Sequence, residues 1–119
     1  MAIAELVTRP SAGLDEDRRV VWLRGEHDIS TVAGVSELLA RAVIEGDGGV
    51  VVDVTGVEFM GAATVGVIVR ARAALLQHSR VLVVRAPSSG PARRILELCG
   101  LGALVEPAIA DSEPGRGGR

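Results

Sequence analysis

Glu26-His27-Asp28 sets an imidazole between two carboxylates, the residue types of general acid–base work. Glu26 and His27 nevertheless read as solvated loop residues, and Asp28 as a helix cap. His27 and His78 are the only histidines and lie far apart in the chain. With Cys99 as the single cysteine, no metal-ligand cluster is available and no metal or other cofactor is expected. Cys99 falls on the apolar face of the last predicted helix and reads as core, without the features of a lowered-pKa redox thiol. Asp53, inside a run of valines, could suggest aspartyl phosphorylation. The early acidic pair that such chemistry uses is missing, and lysine does not occur. A Gly-rich phosphate loop ending in Lys-Ser/Thr is absent, and so is Gly-x-Ser-x-Gly. These absences point away from an enzyme and towards a binding module.

The elements that position these residues alternate. Ile3 to Val7 could form a short edge strand, and Pro10 to Asp17 reads as a loop. Arg19 to Arg24 carries Val20, Val21, Trp22 and Leu23 and predicts a strand, ended by Gly25-Glu26-His27-Asp28. Asp28, Ser30 and Thr31 offer capping oxygens to a helix from Val32, whose apolar face is Val35, Leu38, Leu39, Ala42 and Val43. Gly46 to Gly49 stop it. Val50 to Val54 predicts a central strand covered on both faces. Gly56 and Gly61 then bracket a loop holding Phe59 and Met60, and Ala62 to Gln77 predicts a helix. Arg80 to Arg85 reads as a strand. Ser88 to Pro91 opens a helix with Ala92, Ile95, Leu96 and Cys99 on one face, capped by Gly100. Leu104 and Val105 suit a last short strand or turn. The order implies an α/β fold with parallel pairing in at least part of the sheet.

The chain has 119 residues, enough for one domain. Net charge is −2, so no basic field exists to attract a phosphate backbone. Trp22 and Phe59 are the only aromatics, which argues against base stacking. The N-terminus lacks a signal-peptide pattern, and the uncharged stretch Phe59 to Val69 is too short to span a bilayer. The expectation is a cytoplasmic protein that contacts neither nucleic acid nor membrane directly.

Three segments, in order and spacing, resemble a STAS domain, the fold of bacterial anti-sigma-factor antagonists. Leu23-Arg24-Gly25-Glu26-His27-Asp28 with Ser30-Thr31-Val32-Ala33 is similar to the family's Leu-x-Gly-Glu-x-Asp segment before its first helix. Val51 to Met60 is similar to its central strand and the Phe-Met before its switch loop. Ala92 to Leu101 resembles its last helix, which typically ends in Gly-Leu. The resemblance covers roughly residues 3 to 106. It implies a STAS domain over 1–106; residues 107–119 have no apolar face and read as a disordered tail. It implies a small mixed sheet of about four to five strands with about three to four helices.

In the family the next loop usually reads Asp-Ser-(Ser/Thr)-Gly-Leu-Gly, and a kinase-type anti-sigma factor phosphorylates the first Ser. Here Gly61 stands at the Asp, Ala62 at the acceptor Ser, Ala63 at the next hydroxyl residue, and Thr64-Val65-Gly66 at Gly-Leu-Gly. Alanine has no oxygen to accept a phosphate, so transfer at Ala62 is chemically excluded. Thr64 is the only hydroxyl left in the loop and a weak candidate acceptor; its alternative is a local bond in the first helical turn. The backbone amides at that helix start could also hold an anion.

The resemblance implies a non-enzymatic protein that binds an anti-sigma factor of the GHKL kinase-like type and frees a sigma factor. The expected contact surface is Gly61, Ala62, Ala63, Thr64, Val65, Gly66 and Val67, with Asp28 and Ser30 beside it. The expected state is a monomer or weak dimer. Two other readings stay open: the cytoplasmic STAS subunit of a lipid-transport ABC system, and a STAS regulator that binds a small ligand.

Overall fold

The computed structural model describes residues 18–107. The expected strand Ile3–Val7, the loop Pro10 to Asp17 and residues 108–119 of the expected tail lie outside the described residues; Pro107, the expected first residue of that tail, instead pairs with Ala86 as the last residue of the final strand. Four strands form one sheet in the order β1-β2-β3-β4: β1 (Arg19–His27), β2 (Val50–Met60), β3 (Leu82–Ala86) and β4 (Val105–Pro107). Three helices connect them: α1 (Val32–Glu45), α2 (Ala62–Leu76) and α3 (Pro91–Leu98). Short 3-10 turns, Ile29–Thr31 and Gly102–Leu104, precede α1 and β4. The α/β class and the element count match the expectation. Every pairing among the described strands is parallel, so a mixed sheet would need a strand outside them.

Each helix packs its apolar stripe on the same face of the sheet. Val35, Leu39 and Ala42 of α1, Val65, Ile68 and Leu75 of α2, and Ala92 and Leu96 of α3 share one buried core. Val21, Leu23, Val50, Val52, Val54, Leu82, Val84 and Ala86 supply its floor. These strand residues alternate along the chain, as side chains on one face of a sheet must.

The other face explains Asp53. Its strand partner is Arg85, and Arg85 in turn pairs with Glu106. The side chains follow that register. Arg85 Nη1 lies 3.7 Å from Asp53 Oδ2, Arg85 Nη2 lies 3.0 Å from Glu106 Oε2, and Arg18 Nη1 lies 3.0 Å from Glu106 Oε1. Asp53 Oδ1 also accepts the Thr55 amide at 2.9 Å and hydroxyl at 2.7 Å. The acid inside the valine run is therefore a rung of a cross-strand charge ladder.

β2 runs to Met60, where a loop was expected from Gly56. Pairing with β1 continues through two register shifts, Trp22/Arg24 and Gly25/Glu26, to the pair His27–Met60. At each shift β2 gains one residue over β1, which marks a bulge on β2. The buried positions Val54, Val57 and Met60 then fall every third residue. That spacing hides a strand from a period-two reading. Gly25, at φ +82°, supplies the left-handed backbone next to the second bulge.

α3 ends one residue sooner than expected. The Gly100 amide bonds to Glu97 O at 3.0 Å and the Leu101 amide to Leu96 O at 2.9 Å. This is a Schellman cap with Gly100 at φ +78°. Cys99 becomes the exposed cap residue and is not core, because the helix stops before turning it inward. α2 closes with the same pattern. Arg80 N bonds to Leu75 O at 2.9 Å and Ser79 N to Leu76 O at 3.1 Å, with Ser79 at φ +58°.

Serine in the left-handed region is strained where glycine is not. Ser79→Gly is therefore expected to stabilise the protein by about 0.5–1 kcal/mol in urea melts; a loss of stability would mean the strain is absent. Glu106 gives a pH test. The Arg18 guanidinium, more than Arg85, holds its carboxyl below the ordinary value of 4.5. A group that titrates lower when folded contributes fully above its unfolded pKa and fades as pH falls. Glu106→Gln is expected to cost about 1 kcal/mol near pH 7 and almost nothing near pH 3. A cost that did not shrink with pH would rule out the ion pairs as its source.

Candidate functional site

β1 and β2 end side by side, and their following segments meet at one edge. The Gly61 amide donates to His27 O at 2.9 Å, joining the two exits directly. Gly61 is the extended N-cap of α2, and its carbonyl receives the Thr64 amide at 3.1 Å and the Val65 amide at 3.3 Å. After β1 the chain turns at Asp28. Its Oδ1 accepts the Ser30 amide at 2.9 Å and the Ser30 hydroxyl at 2.6 Å, so the side chain caps the 3-10 turn rather than α1 itself. Those two bonds, the hydroxyl's first, hold the exposed Asp28 carboxyl below its ordinary range.

His27 is 0% exposed, contrary to the loop expected for it. Strand pairing reaches it, and its ring packs beneath the turn. Nε2 lies 2.9 Å from Arg24 O, which can only accept, so Nε2 carries a hydrogen. Nδ1 lies 3.1 Å from Thr31 Oγ1, which is also 3.2 Å from Asp28 O. The His27 imidazole thus pins the turn that presents Asp28 and Ser30, and the His27 backbone carbonyl pins Gly61. It is the structural link between the two halves of the site. An isolated histidine beside a turn carries no sequence signal of that role.

The predicted surface divides. Asp28, Ser30, Ala62 and Ala63 are exposed, and Gly61 and Gly66 are half-exposed. Thr64, Val65 and Val67 are buried and cannot face a partner in this arrangement. α2 turns two adjacent rows inward, one over the sheet and one against α1, so positions 64, 65, 67 and 68 all go under. Thr64 is 0% exposed and its Oγ1 has no hydrogen-bond partner, which removes it as a phosphoacceptor and leaves the expected local bond unmade. Two exposed apolar residues were not anticipated. Ile29 is 74% exposed and Phe59 is 49% exposed. The Phe59 ring stands over Gly61, 3.7 Å from where a β-carbon would be. In the sequence Ile29 is a lone apolar residue between Asp28 and Ser30.

Ile29, Phe59, Ala62 and Ala63 are thus exposed apolar residues on these two exits, and three exposed carboxylates accompany them: Asp28, Glu58, and Glu26, the strand partner of Phe59. No group of three or more potential metal ligands occurs among the described residues. No helix among them is long and apolar enough to cross a membrane.

Thr64→Val is expected to raise stability by about 1 kcal/mol, since it removes a buried hydroxyl without a partner at nearly constant volume. A clear destabilisation in thermal melts would mean the hydroxyl is satisfied. His27→Ala is expected to cost about 3 kcal/mol, from the lost ring and both of its bonds. In amide exchange the same change should expose Gly61 first.

No curated relative matches the chain. Solved structures do. An anti-sigma factor antagonist SpoIIAA in its unphosphorylated form superposes with a TM-score of 0.71 at 20% identity, over 87% of this chain and 90% of that one. An anti-sigma factor antagonist from Mycobacterium paratuberculosis gives 0.69 at 22% identity, over 80% of each chain. The phosphorylated form of SpoIIAA from Bacillus gives 0.65 at 18% identity, over 87% and 94%. At such identities these matches establish the fold. The family model described as Mlab, STAS domain, matches residues 11–106, and on that match the chain belongs to the STAS domain family.

Proposed function

We propose that this protein is an anti-sigma-factor antagonist that acts by protein–protein contact and is not switched by phosphorylation at the usual loop. The observation that carries the reading is the exposed surface at the start of α2, where the family resemblance sets Ala62 against the acceptor serine. Exposed apolar residues gathered at one edge are the mark of an interface. Small side chains at Gly61, Ala62 and Ala63 let a partner approach the helix start closely. The solved structures of antagonists with this fold support the same reading. The partner we infer is a GHKL-type anti-sigma factor, and the compartment the cytoplasm.

The physical consequence is a surface with one chemical state. A phosphate adds nearly two negative charges, enough to break a contact by repulsion and desolvation. An alanine cannot receive it. The protein would then resemble a permanently dephosphorylated, binding-competent antagonist.

A second reading is the cytoplasmic STAS subunit of a lipid-transport ABC system. The missing acceptor favours it, because such a subunit need not be phosphorylated.

Affinity capture from the native host's lysate, with and without ATP, separates the two. The antagonist reading expects a GHKL-type anti-sigma factor, retained after prolonged exposure to ATP. Recovery of a permease and its ATPase instead would assign the protein to lipid transport. Ala62→Ser is the second test. A partner kinase should leave the parent chain unmodified and phosphorylate the variant, releasing it from the complex. A variant left unmodified would mean that more than the acceptor has been lost.

A further inference from the structure

α1 and α2 each follow a strand of a parallel sheet and lie on the same face of it, so they run side by side in one direction. On their outer side the seam between them stays open. Small side chains leave the room: Ala40 on α1, and Ala71 and Ala74 on α2. The resulting groove holds a cavity of about 300 Å³. Its floor is Leu39, Val43, Val67 and Ala71, and Ile44, 78% exposed, stands on its rim.

The lining has two polar residues, Ser36 and Arg70, and Arg70 is its only charge. Arg70 is exposed, and no described residue forms an ion pair or side-chain hydrogen bond with it. Its guanidinium leans back towards the start of α2, as helix side chains do. Nη1 lies 3.7 Å from where a β-carbon on Gly66 would be. Gly66 is the fifth residue of α2 and Ser36 the fifth of α1, so the two polar groups share the end of the groove nearer the helix starts. Ile44 and Ala74, each the thirteenth residue of its helix, mark the other end. The run between is about 12 Å, the length of an extended chain of about ten carbons. One end is thus cationic and open, and the rest is apolar.

We propose that the groove between α1 and α2 binds a single-chain carboxylate amphiphile, a fatty-acid anion, with its head on Arg70 and its chain along Leu39, Ala71 and Val43. A guanidinium suits a carboxylate because its N–H groups form a planar fork and stay charged. The Ser36 hydroxyl is a second donor at the same end. The volume sits at the low end for ligand pockets, about 300–1,000 Å³, which matches one chain and not a two-chain lipid. A cationic amphiphile would meet the Arg70 charge head-on. Glu37, exposed beside Ser36 on α1 and outside the lining, opposes the head and limits affinity. The site uses neither Asp28 nor Ala62, so it does not rest on the antagonist reading.

The test titrates the full chain with decanoate, kept below its micelle concentration, and reads ¹H–¹⁵N spectra that include the arginine side chains. The proposal expects saturable shifts at Ala40, Ile44, Ala71, Ala74 and the Arg70 guanidinium, half-complete below about 1 mM. Octanoate should bind several-fold more weakly, since each fully buried methylene contributes about fourfold. Decyltrimethylammonium, with the same chain and the opposite charge, should bind at least about tenfold more weakly than decanoate. Arg70→Gln should weaken decanoate about tenfold, and Ala40→Phe, which fills the groove, should abolish its binding. Both substitutions fall at exposed positions, and thermal melts check that each variant folds. Shifts that do not saturate, that centre outside the groove, that are as strong with the cationic amphiphile, or that ignore both substitutions would overturn the proposal.

Discussion

The candidate site depends on how β1 and β2 finish together. Parallel strands carry their following loops to the same edge of a sheet, where ligands and partners of open α/β folds are met. Here that edge is set by one backbone bond, Gly61 N to His27 O. The bond exists only because two bulges let β2 keep pairing with β1 as far as Met60. Without them β2 would leave the sheet near Thr55, and the start of α2 would have no fixed relation to Asp28. The buried His27 ring then fixes the other side of the junction, through Arg24 O and Thr31.

Much of the architecture was legible because it rests on local rules. The valine run from Val50, the apolar face of α1, the helix formers of α2, the Pro91 start and the Gly100 cap each state their element within a few residues. What misled were places where tertiary pairing changed the local period. Val54, Val57 and Met60 line the core at a spacing of three, which no single-strand pattern predicts. Glu26 and His27 look polar and therefore exposed, yet strand pairing carries His27 wholly inside. Cys99 follows an apolar helical face that stops just before it. Thr64, Val65 and Val67 were placed on the surface because they follow the loop. Only the packing of α2 against both α1 and the sheet shows that two of its rows are covered.

The two faces of the sheet are solved differently. One is dry and apolar under three helices. The other carries Val20 and Val51, both buried, and then the ladder Asp53–Arg85–Glu106–Arg18. A parallel sheet is normally buried on both faces. Ion pairs set in strand register let this second face hold charge without leaving a carboxylate unpaired. They also tie β4, only three residues long, to strands far from it in sequence. The same device, a side chain spanning distant segments, recurs at Arg80, which donates to Gly48 O and Val43 O, and at His27. In a chain with only two aromatic residues, polar bridges secure junctions that ring packing would otherwise fill.

On the proposed reading, the departure at the loop before α2 is chemical rather than steric. A β-carbon at Gly61 would stand 3.7 Å from the Phe59 ring and 3.8 Å from His27 O, both ordinary contacts. Ala62 and Ala63 are exposed, so a hydroxyl on either would meet water. The fold would therefore accept an acid at 61 and serines at 62 and 63 with no change of backbone. Nothing in packing or hydrogen bonding requires the residues present. On the proposed reading, what this surface meets accounts for Gly61, Ala62 and Ala63. A neutral, small, unmodifiable helix start keeps its affinity fixed while a phosphorylatable one varies it, and on the proposed reading that constancy is the property the loop supplies.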